Sequence, residues 1–414
     1  MSASNGGIWI SFAPLAGVLN DYYDWSPAMV NSLFQAFYIG YALLSLPTVW
    51  ATVELRLGLQ WTVHAAAAMN LGAALLRCFG SHSTAYVFCF LGNVVGGMAG
   101  AMFLGSPPNV SQAWFGDSER GKASSLAICS NQGGLALGFA IASLAVTSGS
   151  DLEAWNVSQA IFAGICFVFV LLFFRNAPAT PPSSSAKADA VPIIKALHML
   201  KKDRNFWFMN IMGGAYLGFF FTFSSILAQE LAHSGFDNVQ TAVAGSLYMA
   251  VGTVAMIGVG ELLDRTHAYR TLLIGAAWAS AALLLLFTLT SHVMGTVALT
   301  AVLILMGVTM SALFPLIIES AVEMCWPAPE STICGVFMLT AQLFGICQTF
   351  LANALHKGEG NYNDFNFLFI GFLVVFAIST YLFFRGSYRR FEYEQSKASG
   401  GLLVNESKTT AEQT

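Results

Sequence analysis

Charged residues are scarce in this chain. Of its 414 residues, 18 are Lys or Arg and 22 are Asp or Glu, which together make 10% of the sequence, while 56% are hydrophobic and the mean hydropathy is +0.64. Soluble domains carry about 25% charged residues, so this composition excludes an ordinary soluble protein. The basic residues form no cluster of the kind that follows phosphates, which argues against nucleic acid as a partner. The sequence predicts an all-α integral membrane protein.

Metal-binding and catalytic patterns are also missing from the sequence. Its seven cysteines lie in or near apolar runs without metal-ligand spacing, so neither a disulfide framework nor a zinc site is predicted. There is no GxSxG elbow, no His/Asp cluster and no pair of carboxylates inside an apolar run. We therefore expect a protein that is not an enzyme and that binds neither a metal nor a cofactor.

Long apolar runs recur along the chain instead. A helix needs roughly 20 residues to cross a hydrocarbon core of ~30 Å. Eleven runs of this kind are predicted, near residues 28–51, 59–79, 84–106, 123–147, 155–174, 206–229, 241–262, 271–291, 294–320, 331–355 and 365–384. The opening stretch, 6–19, is a twelfth apolar run, but its length of about 14 residues is too short to span.

Basic residues are distributed unevenly among the loops between these runs. Most fall in loops on one side, which the positive-inside rule assigns to the cytoplasm, whereas Arg77 and Lys357 are predicted in outer loops. A segment rich in Pro, Ser and Ala separates six runs from six. The prediction is an N-terminal half at 1–175, a cytoplasmic linker at 176–204, a C-terminal half at 205–385 and a disordered cytoplasmic tail at 386–414.

Two loops at matching places in the halves share a pattern. GELLDRTHAYR follows the eighth run, and ATVELRLGL follows the second. The first contains Gly260, Asp264, Arg265 and Arg270 and resembles G-x-x-x-D-R-x-x-x-x-R, the loop signature of the major facilitator superfamily, of which the second is a degenerate copy. This resemblance implies 12 transmembrane helices in two pseudo-symmetric halves, with a substrate site between them at the middle of the membrane.

Longer motifs resemble a narrower family. They are WISFAPLAG, NVSQAWFGDSERGKASS, SNQGGLALGF, FPLIIESAVEMCWP, LTAQLFGICQ and SYRRFEYE. In their order and spacing they are similar to the feline leukaemia virus subgroup C receptor-related family, solute carrier family 49, and most of all to its third branch. The Trp that matches Trp9 lies midway along the first helix of that family, so the resemblance implies that the first helix of this chain is truncated. The alternative is a naturally short, tilted first helix.

The same resemblance implies a set of substrate-binding residues. Family members that carry choline and ethanolamine hold the ammonium group against a Trp and a Tyr, and two Gln side chains close the site. Trp9, Gln132 and Gln342 match the Trp and the two Gln residues. The position of the Tyr is Phe221, preceded by Phe220, so that the aromatic face is kept and the phenolic oxygen is lost.

Ionisable residues are nearly missing from the predicted membrane interior. No Lys or Arg lies in the middle of a run, and Glu319 is one of few carboxylates at moderate depth. The resemblance places Glu319 in a cytoplasmic gating network with Gly260, Asp264, Arg265 and Arg270. Neutral amides, hydroxyls and aromatic rings suit a small organic cation or a neutral polar solute.

The sequence thus predicts an alternating-access transporter of a choline-like or ethanolamine-like substrate. We expect it to act as a monomer, without strong ion coupling, in the plasma membrane, with the bilayer and the substrate as its partners. Heme transport is the second hypothesis, although heme carries two propionates and the predicted cavity has no cation to meet them. A vitamin-like metabolite and a transport-inactive membrane receptor are further alternatives.

Overall fold

The computed structural model describes residues 1–53, 58–79, 83–116, 119–176, 178, 193–325, 328, 330–357 and 360–383. Three predicted features lie wholly or mostly outside these residues: Glu54 and Arg56 of the degenerate loop signature, the linker beyond 176, and the tail at 386–414. Within the described ranges the regular structure is helical throughout. Helices satisfy their own backbone hydrogen bonds, which a lipid environment requires because it offers no water to do so.

Fifteen α-helices are found in the described part of the chain. They are α1 Ser2–Ile10, α2 Ala16–Tyr23, α3 Pro27–Val53, α4 Gly58–Cys78, α5 Ala85–Gly105, α6 Pro107–Trp114, α7 Arg120–Ala145, α8 Asp151–Phe173, α9 Ile193–Lys202, α10 Arg204–His233, α11 Asn238–Thr266, α12 Tyr269–Thr290, α13 Thr296–Met324, α14 Glu330–Leu355 and α15 Asn363–Phe383. Of the helices in these ranges, α5, α7, α8 and α10–α15 are long and apolar enough to cross a bilayer.

The first predicted segment is helical beyond its apolar stretch at 6–19. A 3-10 turn at Ala13–Leu15 joins α1 to α2, so helical pieces run from Ser2 to Tyr23. Pro14 lies at the start of this turn, where its missing backbone N–H interrupts regular α-helical hydrogen bonding. Asp24 then adopts a left-handed conformation, with φ of 58°, and ends α2. The sequence pattern had not indicated that the polar residues after 19 continue the helix.

The packing of the helices repeats in the two halves. In the first half α1 packs on α7, α3 on α5, and α4 on α8; in the second half the corresponding pairs are α10 with α14, α11 with α13, and α12 with α15. In each half, a glycine lets the helices of one such pair approach closely. A Cβ at Gly97 of α5 would overlap the Phe37 carbonyl of α3, and a Cβ at Gly307 of α13 would overlap the Tyr248 carbonyl of α11. Small residues at such crossings let helix backbones approach closely in membranes.

The two halves meet mainly through two helix pairs, α3 with α14 and α7 with α11. Gly345 of α14 lies against the Tyr38 ring, and Gly245 of α11 lies against the Phe139 ring. Helix α10 is buried along most of its length, whereas α8 exposes Phe169 and Phe173 on the outside of the bundle. The middle of the molecule is therefore formed by α1, α3, α7, α10, α11 and α14.

Arg77 is not in an outer loop, as the sequence predicted, but buried in the last turn of α4. Its guanidinium donates to Ser11 Oγ at 3.0 Å and also to Asn93 Oδ1, and it lies 4.5 Å from the centre of the Phe12 ring. Neutral acceptors and an aromatic face thus replace water around this cation. Arg77 ties α1 to α4 and α5 at the predicted outer end of the first half.

Candidate functional site

Trp9 lies where the two halves meet. Its side chain is 5% exposed, and its ring contacts Phe34, Phe37 and Tyr38 of α3 at centroid distances of 6.2, 6.0 and 6.1 Å. On the other side it meets Phe221 of α10 at 5.6 Å, with the rings at 79°. Two residues that the sequence predicted for one site are therefore in direct contact, although they are 212 positions apart in the printed sequence.

The second half contributes further rings to this centre. Phe221 is half-buried and lies 5.7 Å from Phe220, which is buried and reaches Tyr248 of α11 at 6.5 Å. We call Trp9, Phe34, Phe37, Tyr38, Phe220, Phe221 and Tyr248 the central aromatic cluster. The rings in contact with Trp9 are all uncharged, so the cluster offers a ligand aromatic faces and edges.

The two predicted glutamines occupy equivalent places in the two halves. Gln132 is the thirteenth of the 26 residues of α7, and Gln342 is the thirteenth of the 26 residues of α14. Gln132 is half-buried. It lies on the same face of α7 as Phe139, which is two helical turns further on and contacts α11. Gln342 is buried, one turn before Gly345, which touches Tyr38. Both amides thus lie midway along helices that face the other half.

The neighbouring glycines of the SNQGGLALGF motif are packing residues. A Cβ at Gly134 would overlap the Ala3 carbonyl of α1, and one at Gly138 would lie 2.6 Å from the Gly7 Cα. Asn131 donates to the Ser2 carbonyl at 2.9 Å. These contacts hold α7 against α1 and so fix the position of Gln132 relative to Trp9.

Helix α3 contributes site residues that the sequence did not reveal. Phe34, Phe37 and Tyr38 follow helical spacing on one face of α3, but in sequence they look like any apolar transmembrane face. The available signal was the pair of polar groups in this stretch, Gln35 and the Tyr38 hydroxyl. Both are buried in the structure, and Gln35 Nε2 and Tyr38 Oη have no hydrogen-bond partner.

A polar network closes the predicted outer side of the centre. Asn31 of α3 donates to Asn353 Oδ1 of α14 at 2.7 Å and to Tyr362 Oη at 3.1 Å. Gln229 of α10 donates to Asn31 Oδ1 at 2.9 Å, and Tyr362 donates to Gln229 Oε1 at 2.6 Å. This outer polar network (Asn31, Gln229, Asn353 and Tyr362) joins the first half to the second, two helical turns from Tyr38 on α3. The sequence analysis missed Gln229 and Tyr362.

The predicted gating residues lie at the opposite ends of the helices. Arg265 forms an exposed ion pair with Glu261, and Arg270 donates to the Tyr381 carbonyl while its guanidinium lies 5.0 Å from the centre of the Tyr381 ring. These contacts stay inside the second half, where Arg270 ties α12 to α15. Gly260 of α11 has open space around it, Glu319 of α13 is exposed, and the side chain of Asp264 lies outside the described residues.

Two pseudo-symmetric helical halves, with an aromatic centre between them and a polar network on one side, form the architecture of a membrane transporter. The chain belongs to the Major Facilitator Superfamily, whose family model matches residues 1–349. The predicted all-α major facilitator fold is thereby confirmed, whereas the 12 transmembrane helices and the truncated first helix stay predictions. Members of this superfamily transport small molecules across bilayers, so the chain is a multi-pass membrane transporter and not an enzyme.

Curated relatives confirm the narrower resemblance. A choline/ethanolamine transporter of Danio rerio is 26% identical over 399 residues, which cover 92% of this chain and 81% of the relative. Solute carrier family 49 member A3 of Xenopus tropicalis is 26% identical over 371 residues, covering 86% of this chain and 76% of the relative. A choline/ethanolamine transporter and a member of solute carrier family 49 are therefore each similar to most of the chain.

Solved transporters share the fold at low sequence identity. The xylose transporter XylE of Escherichia coli, in a partially occluded inward-open conformation, has a TM-score of 0.70 at 13% identity and covers 92% of this chain and 96% of its own. The nucleoside transporter NupG has a TM-score of 0.68 at 15% identity and covers 93% of this chain and 98% of its own. At these identities the likeness concerns the fold alone.

Proposed function

We propose that this transporter carries a small organic cation of the choline or ethanolamine type, bound by Trp9, Phe220 and Phe221 and closed in by Gln132 and Gln342. The observation that carries the proposal is the ring contact between Trp9 and Phe221 from opposite halves. A quaternary ammonium group is attracted to the negative face of an aromatic ring within about 6 Å of its centre, most strongly for Trp. The name of the zebrafish relative supports the same substrate class.

The arrangement also explains how binding is linked to movement. Trp9 belongs to α1 and Phe221 to α10. A rocking motion that separates the two halves, on either side of the membrane, therefore also separates the two rings. A cation bound against both rings is then held by one half only, and its affinity falls. The outer polar network keeps one side shut while the other opens, which is the requirement of alternating access.

We further propose uniport by a single chain in the plasma membrane. The candidate site is formed by residues of one chain, and the rings that contact Trp9 carry no charge that a driving ion would titrate or replace. Initial uptake should then be nearly unchanged when proton and sodium gradients are dissipated. A severalfold fall would contradict uniport without affecting the substrate assignment.

The test is uptake into proteoliposomes that contain the purified chain. Labelled choline and ethanolamine should accumulate inside, and 3,3-dimethylbutan-1-ol, the choline isostere with carbon in place of nitrogen, should compete about five- to thirtyfold more weakly than choline, since only the cation gains the ring attraction. Equal competition by the isostere, or uptake of heme without uptake of choline, would contradict the proposal. In the second case the porphyrin hypothesis would replace it.

A further inference from the structure

Tyr38 connects the two halves beside Trp9. Its ring is 1% exposed and tilted by 47° to the Trp9 ring. A Cβ placed on Gly345 of α14 would lie 3.2 Å from Tyr38 Cε2 and 3.6 Å from Tyr38 Cζ. One edge of the Tyr38 ring therefore lies against the second half, while its face is tilted toward Trp9 of the first.

The hydroxyl of Tyr38 differs from those of the other deeply buried tyrosines. Four tyrosines are among the largest fully buried side chains of the described residues, and three of them have hydrogen-bond acceptors. Tyr216 donates to the Met310 carbonyl at 2.5 Å, Tyr248 to the Met310 sulfur at 3.7 Å, and Tyr362 to Gln229 at 2.6 Å. Tyr38 Oη has neither a partner nor access to solvent.

Packing does not account for this hydroxyl. A phenylalanine would fill the same volume without burying an unpaired polar atom, and leaving a buried donor unpaired is unfavourable. Buried polar groups are normally hydrogen-bonded, so an exception calls for a functional explanation. The partner that is missing in this conformation is supplied by a ligand if the ligand carries a hydroxyl group.

A second unpaired atom complements the phenol. Gln342 Oε1 is buried without a partner, and Gln342 is one turn before Gly345, the residue that touches the Tyr38 ring. An alcohol has one donor and two acceptor positions. It can accept from Tyr38 Oη while donating to Gln342 Oε1, and both unpaired atoms are then satisfied.

We propose that Tyr38 is a specificity-determining residue that binds the hydroxyl end of the substrate, opposite the ammonium end held at Trp9 and Phe221. This inference rests on the proposed function and narrows its substrate class to amino alcohols. It also gives the site a phenol at a different place from Phe221, on the first half instead of the second. Where the family members that carry choline have a Tyr, this chain has Phe221. With Tyr38 in the site, the phenol comes from the first half instead of the second.

The test compares choline with propyltrimethylammonium, in which a methyl group replaces the hydroxyl. Affinities are measured by calorimetry on the purified chain in lipid nanodiscs. The wild type should prefer choline by about three- to tenfold, the usual net effect of one or two neutral hydrogen bonds. Tyr38→Phe should reduce this preference by weakening choline alone, because one of the two hydrogen bonds to the hydroxyl is lost. The matched control is Tyr216→Phe, which removes a phenol that is already paired with Met310 and should change both affinities by the same factor.

Thermal unfolding without ligand separates a binding role from a structural one. Because Tyr38→Phe removes an unpaired buried atom, the ligand-free variant should melt at the same temperature as the wild type or higher, and choline should raise its melting temperature less. A lower melting temperature with equal losses of both affinities would assign the hydroxyl a structural role and overturn the inference, as would an unchanged preference for choline. Failure of both cations to bind the wild type would instead contradict the proposed function.

Discussion

The indole of Trp9 meets the ring of Phe221 edge to face, at a centroid distance of 5.6 Å. Trp9 is on the first helix of one half and Phe221 is on the first long helix of the other, so the contact crosses the boundary between the halves. Trp9 lies in the last turn of α1, and the outer polar network lies on one side of the two rings. We expect a substrate bound against both rings to sense the relative position of the two halves directly.

Replacing Trp9 tests the aromatic contact. Trp9→Ala removes a cation–π interaction of roughly 1 to 2 kcal/mol, which corresponds to about a five- to thirtyfold loss of choline affinity, and Trp9→Phe should lose less. Choline binding to purified protein in nanodiscs measures both. Trp278→Ala provides the control, since Trp278 is 47% exposed on the outer surface of α12 and its loss should leave affinity unchanged. Normal choline affinity in Trp9→Ala would exclude the cation site at this position.

The outer polar network predicts a shift between conformations. Asn31 is its central member, with bonds to Asn353, Tyr362 and Gln229. Asn31→Ala removes three bonds across the halves and leaves buried partners unpaired, at about 1–3 kcal/mol for each group that stays dry. We expect the outer side to open more often. Ser143 is buried in the last turn of α7, at the predicted outer end of the helix. A cysteine introduced there in a cysteine-free background should then react several times faster with a membrane-impermeant maleimide.

The control for this experiment is Asn363, which is next to Tyr362 in the sequence but is not a member of the outer polar network. Its backbone N–H donates to Asn361 Oδ1 at 3.1 Å. Asn363→Ala keeps this backbone donor, so it should leave the labelling rate as in the wild type. Equal labelling of Asn31→Ala and the wild type would show that the network does not hold the outer side closed. Burial raises the pKa of Tyr362 to about 12, so its hydroxyl remains a donor at any pH used for labelling.

Much of this arrangement follows from the sequence, and the part that does not has a physical cause. Gln342 was named because the family resemblance implied it, and the structure places it at the same position in α14 as Gln132 in α7. The partners of Trp9 on α3 were not, since Phe34, Phe37 and Tyr38 form an apolar face whether it meets lipid or protein. Arg77 was misplaced because a cation near the end of an apolar run normally reaches water, whereas Ser11 and Asn93 satisfy it inside the bundle.

Acid should destabilise the loop that presents Tyr362. Burial and the nearby His233 lower the pKa of His356, whose Nε2 accepts from the Gly360 N–H at 3.2 Å and whose ring lies 4.7 Å from that of Tyr362. A lowered pKa means that the unfolded state binds the proton more readily, so this contribution to stability is complete above a pH of about 6.5 and is lost as the pH falls through and below that value. The melting temperature of the wild type should fall between pH 7.5 and 5.5.

The variant His356→Gln isolates this contribution, because it keeps an acceptor for Gly360 but does not titrate. Its melting temperature should fall less over the same interval, and the difference between the two proteins reports His356. Lys357 and Asp364 form an exposed ion pair next to it, so the comparison is made at one salt concentration. Parallel melting curves for wild type and variant at both pH values would show that His356 makes no pH-dependent contribution.

Two glycines of one helix test whether the halves must close tightly between α7 and α11. A Cβ at Gly245 would overlap the ring of Phe139 across the boundary, whereas one at Gly258 meets no heavy atom within 4 Å. Overpacking of this kind costs about 1–3 kcal/mol, and it acts on the closed outer side, where these residues meet. Gly245→Ala should therefore slow choline uptake by about five- to a hundredfold. Gly258→Ala should retain normal uptake because its methyl group meets no neighbour, and it is a matched control because it adds the same side chain to the same helix.

The double variant tests the contact itself. Since Phe139→Leu removes the ring that the new methyl group meets, combining it with Gly245→Ala should restore much of the rate. Without such rescue, the slow uptake of Gly245→Ala would have to arise within α11 itself and not from the contact between the halves.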